Sequence, residues 1–139
     1  MPISRTELLE IIHNGENSGV EFKRDVIQNH ELAQELVAFS NFEGGIVLLG
    51  VEDDGSISGT TRPNTEEFVM NACRDKIRPA LIPFYEVVKN VEPGKDVAVV
   101  RVSRGFDVHT RWHNNRNVYY IRVGTQSREP TPEELARLF

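Results

Sequence analysis

The stretch from Ala38 to Gly55 constrains this chain more than any other. A helical segment runs into a double glycine, then into an almost unbroken apolar run, then into an acidic turn. Leu32, Leu36 and Phe39, with Ala33 and Val37, recur at helical spacing up to about Phe42, and Asn29 stands where an N-cap is needed. Gly44-Gly45 ends that helix. Ile46 to Val51 has the character of a strand buried on both faces. Asp53-Asp54-Gly55 then makes a tight turn, and Ile57-Ser58-Gly59 begins a returning strand.

The flanking sequence supplies partners for that strand. Ser4-Arg5-Thr6-Glu7 is a capping box, so a first helix runs from about Arg5 to His13 and stops near Gly15. Val20-Glu21-Phe22-Lys23 alternates apolar and charged residues, which predicts a short strand with Phe22 turned into a core. Pro63 to Glu67 opens a third helix carrying Phe68, Val69, Ala72, Cys73 and Ile77, and Pro79 and Pro83 punctuate its end. Tyr85 to Val91 and Asp96 to Val102 flank Glu92-Pro93-Gly94-Lys95 as a hairpin. Arg111 to His113 and Val118 to Val123 flank Asn114-Asn115-Arg116-Asn117 as a second. Thr131, Pro132, Glu133 and Glu134 start a last helix. The expected fold is α+β: one mixed α/β domain over residues 1–139, with a central, mostly antiparallel sheet and about four flanking helices.

A chain of 139 residues suits one hydrophobic core. No stretch has the apolar length of a membrane helix, and the N-terminus lacks the apolar region of a signal peptide. The single cysteine, Cys73, rules out an internal disulfide and falls where a buried hydrophobe belongs. These points favour the cytoplasm. The last helix stops at Phe139 without a polar tail, which suggests the N-terminal part of a longer protein with further C-terminal domains. A net charge of −5 argues against a general polyanion binder. The distribution says otherwise: from Arg101 to Arg128, Arg101, Arg104, Arg111, Arg116, Arg122 and Arg128 are balanced by a single acid, Asp107, and His109 and His113 lie among them.

Three segments carry candidate chemistry. In Glu16 to Lys23, Glu21 and Lys23 are two apart and share a strand face. A carboxylate beside a lysine is an arrangement that metal-dependent nucleases use, holding Mg²⁺ or Mn²⁺ and steadying phosphate charge; a surface ion pair of little consequence is the plainer reading. In the second segment, Gly44 and Gly45 bring backbone N–H groups where a phosphate could approach, or simply turn the chain. Asp53 and Asp54 leave the buried strand where a third carboxylate could join Glu16 and Glu21, or serve the turn. In the third segment, Arg111, Trp112, His113, Arg116 and Arg122 mix cations, a ring and asparagine amides on a hairpin fit for phosphate and groove contacts. The alternative there is that Trp112, Tyr119 and Ile121 are core, that the arginines face solvent, and that Arg122 pairs with a carboxylate such as Asp53.

Taken together, these blocks resemble the Schlafen AlbA_2 family: Glu16-Asn17 leading to Glu21-Phe22-Lys23, Ala38-Phe39-Ser40-Asn41 with Gly44-Gly45, Gly50-Val51-Glu52-Asp53-Asp54-Gly55, and Tyr120-Ile121-Arg122-Val123-Gly124-Thr125. They occur in family order, with Ser40 in place of the usual alanine. The resemblance implies a mixed α/β domain that binds DNA or RNA, found at the N-terminus of proteins described as transcriptional regulators or RecG-like helicases. No G-x-x-x-x-G-K-[ST] phosphate loop is present, so an ATPase function would reside elsewhere. In the related Schlafen core three acids form an RNA-cleaving metal site, which maps by motif onto Glu16, Glu21 and Asp53, with Lys23 assisting. The first expectation is a DNA-binding module without a cofactor, in which Lys23, Arg101, Arg104, Arg111, His113, Arg116 and Arg122 contact nucleic acid and a homodimer adds avidity. The alternatives are a Mg²⁺- or Mn²⁺-dependent nuclease and a protein-interaction domain.

Overall fold

The apolar run after Gly44 becomes a strand with a neighbour on each side and a layer over each face. The computed structural model of the chain describes residues 2–139. Strand β1 (Val20–Lys23) pairs in parallel with β2 (Gly45–Leu49), and the connection between them is helix α2 (Asn29–Ser40). On its other side β2 pairs antiparallel with β5 (Lys95–Val102), which pairs antiparallel with β4 (Phe84–Glu92), giving the order β1-β2-β5-β4. Strand alternation divides the apolar residues between two cores. Val47, Leu49, Ala98 and Val100 pack with Leu32, Leu36 and Phe39 of α2 and with Val69 and Cys73 of α3 (Thr65–Asp75). Leu48, Val97, Val99 and Phe22 pack on the opposite side against Leu8 and Ile12 of α1 (Arg5–Asn14). The strand is therefore covered on both faces, as its composition predicts.

Helix α1 carries the expected capping box, with Ser4 and Glu7 exchanging side-chain and backbone hydrogen bonds. Helix α4 (Pro132–Leu138) does the same with Thr131 and Glu134. Helix α2 starts one residue away from the expected cap: Gln28 holds the N-cap position without a side-chain bond, and Asn29 is already helical. Ile57 returns only as an isolated bridge to Val51.

The C-terminal third departs most from expectation. Ile77 leaves the third helix and, with Arg78, forms the short strand β3 (Ile77–Arg78). It pairs antiparallel with β6 (Thr110–His113), which pairs with β7 (Arg116–Tyr119), building a separate three-stranded sheet over α2. The β6–β7 turn holds two residues, Asn114 and Asn115, both with positive φ (52° and 59°). That is the backbone of the tight hairpin turn whose twist matches its strands, and asparagine is among the few side chains that tolerate it. The chain then breaks at Tyr120, so that β8 (Ile121–Val123) pairs with β9 (Gln126–Arg128) in a further ribbon. Among the described residues, no helix is long and apolar enough to cross a membrane.

The double glycine is built into this packing. Gly44 has φ +85°, and a Cβ there would stand 2.7 Å from the Val102 carbonyl oxygen; one on Gly45 would run into the Phe39 ring. Gly44→Ala should destabilise the chain by about 1–3 kcal/mol, because both the left-handed backbone and the β5 main chain oppose it. Urea unfolding measures the loss.

Candidate nucleic-acid interface

Strand β1 is an edge of the central sheet, and an edge leaves backbone groups unpaired. Here they are taken up by side chains that converge from distant segments. Glu16 Oε2 accepts a hydrogen bond from the Phe22 N–H at 2.9 Å. Arg122, from β8, donates through Nη2 to the carbonyls of Asn17 (2.9 Å) and Val20 (3.3 Å). Through Nη1 it donates to Glu21 Oε1 (2.7 Å), Glu35 Oε2 (3.4 Å) and Ser127 Oγ (3.1 Å). Its guanidinium also lies over the Phe39 ring at 4.7 Å. The Arg122 side chain has no solvent exposure. It therefore cannot meet a phosphate, and the partners that hold it are Glu21 and Glu35 rather than Asp53.

The electrostatics of this knot follow from burial. Burial, a hydrogen bond donated to Glu21 and the nearby Glu21 charge raise the Glu16 carboxyl to about 7, against the Phe22 N–H and Lys23, which lower it. Glu21 is also raised, chiefly by burial. For an acid raised in the folded state, the stability conferred by its protonation is complete below the unfolded value near 4.5 and is lost as pH climbs through about 7. Glu16→Gln keeps an oxygen for the Phe22 N–H but removes the titration. Its melting temperature should exceed that of the parent at pH 8 and fall close to it at pH 5, which thermal scans at the two pH values will show.

The cations expected to form one surface divide among several. Arg101 lies on β5 with Val100 facing α2, so alternation turns it to the opposite side of the sheet, where it pairs with Glu86 at 3.8 Å and covers Phe84. Arg104 is exposed in the loop after β5, and Arg128 is held by Glu134 at 2.9 Å. Lys23 is half-buried at the end of β1, near Glu16. Arg111, His113 and Arg116 do come together on the β6–β7 hairpin, and two further cations join them, Lys76 from the C-terminal cap of α3 and Arg78 from β3. Lys76 Nζ lies 3.4 Å from His113 Nδ1, and the Arg78 guanidinium stacks 3.9 Å from the centre of the Trp112 ring. Arg111 donates to Gln34 Oε1 at 2.8 Å and reaches over the Tyr120 ring. Among the described residues, Lys76, Arg78, Arg111 and Arg116 form no ion pair with a carboxylate. They occupy both sides of the ribbon: Ile77 and Arg111 share the buried register toward α2, so Arg78 and Trp112 stand on the outer face.

A family model described as Schlafen, AlbA_2 matches residues 16–131. This chain belongs to the Schlafen AlbA_2 family. Among solved structures, the N-terminal domain of a RecG-related protein from Nitrosomonas europaea aligns with a TM-score of 0.64 at 23% identity, over 94% of this chain and 95% of that one. The DIP2311 protein from Corynebacterium diphtheriae aligns with a TM-score of 0.61 at 20% identity, over 81% of this chain but 22% of that one. At these identities the likeness is one of fold. No curated protein matches.

The AlbA_2 motif blocks prove to be one another's packing partners. Arg122 of the last block ties Asn17, Val20 and Glu21 of the first, and Phe39 of the second lies beneath it while filling the space that Gly45 leaves. The Gly44 N–H is donated to the Phe39 carbonyl at 2.8 Å, so this group serves the turn. One oxygen on each of Glu16, Glu21 and Glu35 accepts from an internal donor, so these acids serve the closure of the β1 edge. Asp53 is exposed in the turn after Val51, and its neighbour Asp54 accepts from Ser56. Among the described residues, no three of His, Cys, Asp and Glu are grouped to hold a metal. Glu35 is the acid that sequence reasoning missed: it lies on the apolar stripe with Leu32, Leu36 and Phe39, and a charge on such a stripe signals a buried partner.

Proposed function

We propose that this AlbA_2 domain is a DNA-binding module that inserts the β6–β7 ribbon, with β3 alongside, into a groove of the duplex. The observation that carries this reading is the set of cations without carboxylate partners on one ribbon of an otherwise acidic chain. Charges that the fold leaves free and places together are available to an external polyanion, whereas the paired Arg101, Arg122 and Arg128 are not. Arg78 on the outer face and Arg116 beside the exposed turn suit a hairpin tip in a groove, which has a phosphate wall on each side and on the major side is wide enough for a ribbon. The tip adds Asn114, Asn115 and Asn117, whose amides suit sugar and base-edge contacts. The Arg78–Trp112 stack presents a preformed cationic plane beside them. The similarity to the N-terminal domain of a RecG-related protein is consistent with a role beside a nucleic-acid-processing partner domain.

The deciding experiment is equilibrium binding of a labelled duplex across a salt series, with Arg78→Gln and Arg116→Gln beside the parent. Binding that weakens with salt, and weakens further in both variants, supports the module. No binding by the parent at low salt would sink it and leave a protein-interaction role.

A further inference from the structure

On the α2 side of the ribbon, three elements bring basic groups into one notch. His30 comes from the first turn of α2, Lys76 from the junction of α3 and β3, and Arg111 and His113 from β6. The His30 and His113 rings stack with centres 3.9 Å apart and 9° between their planes. Lys76 Nζ sits 3.4 Å from His113 Nδ1, and Arg111 Nε is buried with no hydrogen-bond partner. All four side chains are half-buried, so they are positioned by the fold and still reach solvent. The acids on these elements do not balance them. Asp75 beside Lys76 is bound by Arg74 at 2.8 Å, and Glu31 in the first turn of α2 forms no ion pair. Arg116, opposite His113 in register, adds another positive charge.

We propose that this notch is a phosphate-binding site that takes up protons as it fills. A cluster of like charges with no anion among them is self-repelling. Without a ligand the repulsion is relieved by keeping His113 neutral: an ammonium at this distance donates to an unprotonated Nδ1. His113 accordingly sits below the usual histidine range, through burial and through the charges of His30, Lys76 and Arg111. A phosphate oxygen entering between Lys76, Arg111 and the ring edges reverses the balance, because each imidazolium then faces a negative charge. Anion binding and protonation must then favour each other, since the linkage is reciprocal. The inference rests on the proposed function only for its ligand, the phosphodiester of a nucleic acid; an inorganic phosphate offers the same chemistry.

Histidine side-chain NMR titrations of the whole chain, alone, with inorganic phosphate and with a DNA duplex, separate the sources. The duplex is expected to raise the apparent pKa of His113 by about one unit, with an affinity gain approaching tenfold between pH 8 and pH 6 at fixed salt. The His30→Gln/His113→Gln double variant should lose that pH dependence. Shifts with phosphate but no duplex binding would keep the site and remove the DNA reading. Duplex binding that leaves His113 unmoved, or a pH dependence that survives in the double variant, would overturn the site and leave the DNA reading intact.

Discussion

Arg122→Met will cost the fold about 3–5 kcal/mol, the largest stability loss of any single surface-sparing substitution considered for this chain. The arginine side chain is fully buried, and its two terminal nitrogens serve two carboxylates, one hydroxyl and two backbone carbonyls. Methionine matches its volume but leaves Glu21 and Glu35 beside each other without a counter-charge. Those acids then take up protons, so the loss should be greater at pH 8 than at pH 5. Arg122→Lys will recover little, because a point charge with three donors cannot span partners that a planar fork reaches on two sides. Adding Glu21→Gln to Arg122→Met removes one of the uncompensated charges and should restore part of the stability. Urea unfolding of the four proteins at both pH values checks the set. Equal stability of parent and Arg122→Met at pH 8 would mean that the knot is not what closes the β1 edge.

The same residue marks where sequence reading stops. The helix–glycine–strand block, the Ser4–Glu7 capping box, the Thr131 N-cap and the β4–β5 hairpin depend on local pattern, and all of them appear in the structure. Their signals lie within a few residues of the elements they specify. Arg122 is different. Its neighbours in sequence leave open a phosphate contact or a pair with a carboxylate such as Asp53, and only the fold brings it to Glu21 and Glu35. A spacing of 101 residues to Glu21 carries no periodicity that could be read. Arg101 changes role for a local reason: one position of strand alternation decides which face of the sheet it occupies. Asp53 was read from the motif, but the chain uses the turn to expose it.

The missed cations had a local signal. Pro79 disfavours helical backbone at the residue before it, so Arg78 was inclined toward an extended conformation. Ile77 and Arg78 obey that constraint by pairing with Arg111 and Thr110. The helical spacing of Ile77 with Cys73 pointed the other way, and the proline prevailed because leaving the helix also lets Ile77 reach the core without exposure. Glu35 carried a signal too, a charge on an apolar stripe, but its meaning depended on an arginine far along the chain.

A duplex bound by the ribbon should show a salt dependence that drops stepwise as its cations are removed. Each phosphate neutralised by the protein releases counterions, and the slope of log affinity against log salt is about −0.9 per contact. If Lys76, Arg78, Arg111 and Arg116 each meet one phosphate, changing all four to glutamine lowers the magnitude of the slope by roughly 3–4. Arg78→Gln and Arg116→Gln singly should each lower it by about 1 while leaving unfolding stability within about 0.5 kcal/mol, since both residues are exposed and neither holds an ion pair. Arg101→Gln supplies the internal contrast: it carries the same charge, but lies on the other side of the central sheet and pairs with Glu86, so the slope should hardly change. The comparison separates a placed interface from a mere excess of arginines in the last third of the chain. If Arg101→Gln lowers the slope as much as Arg78→Gln does, binding follows total charge, and the ribbon has no special claim to the duplex.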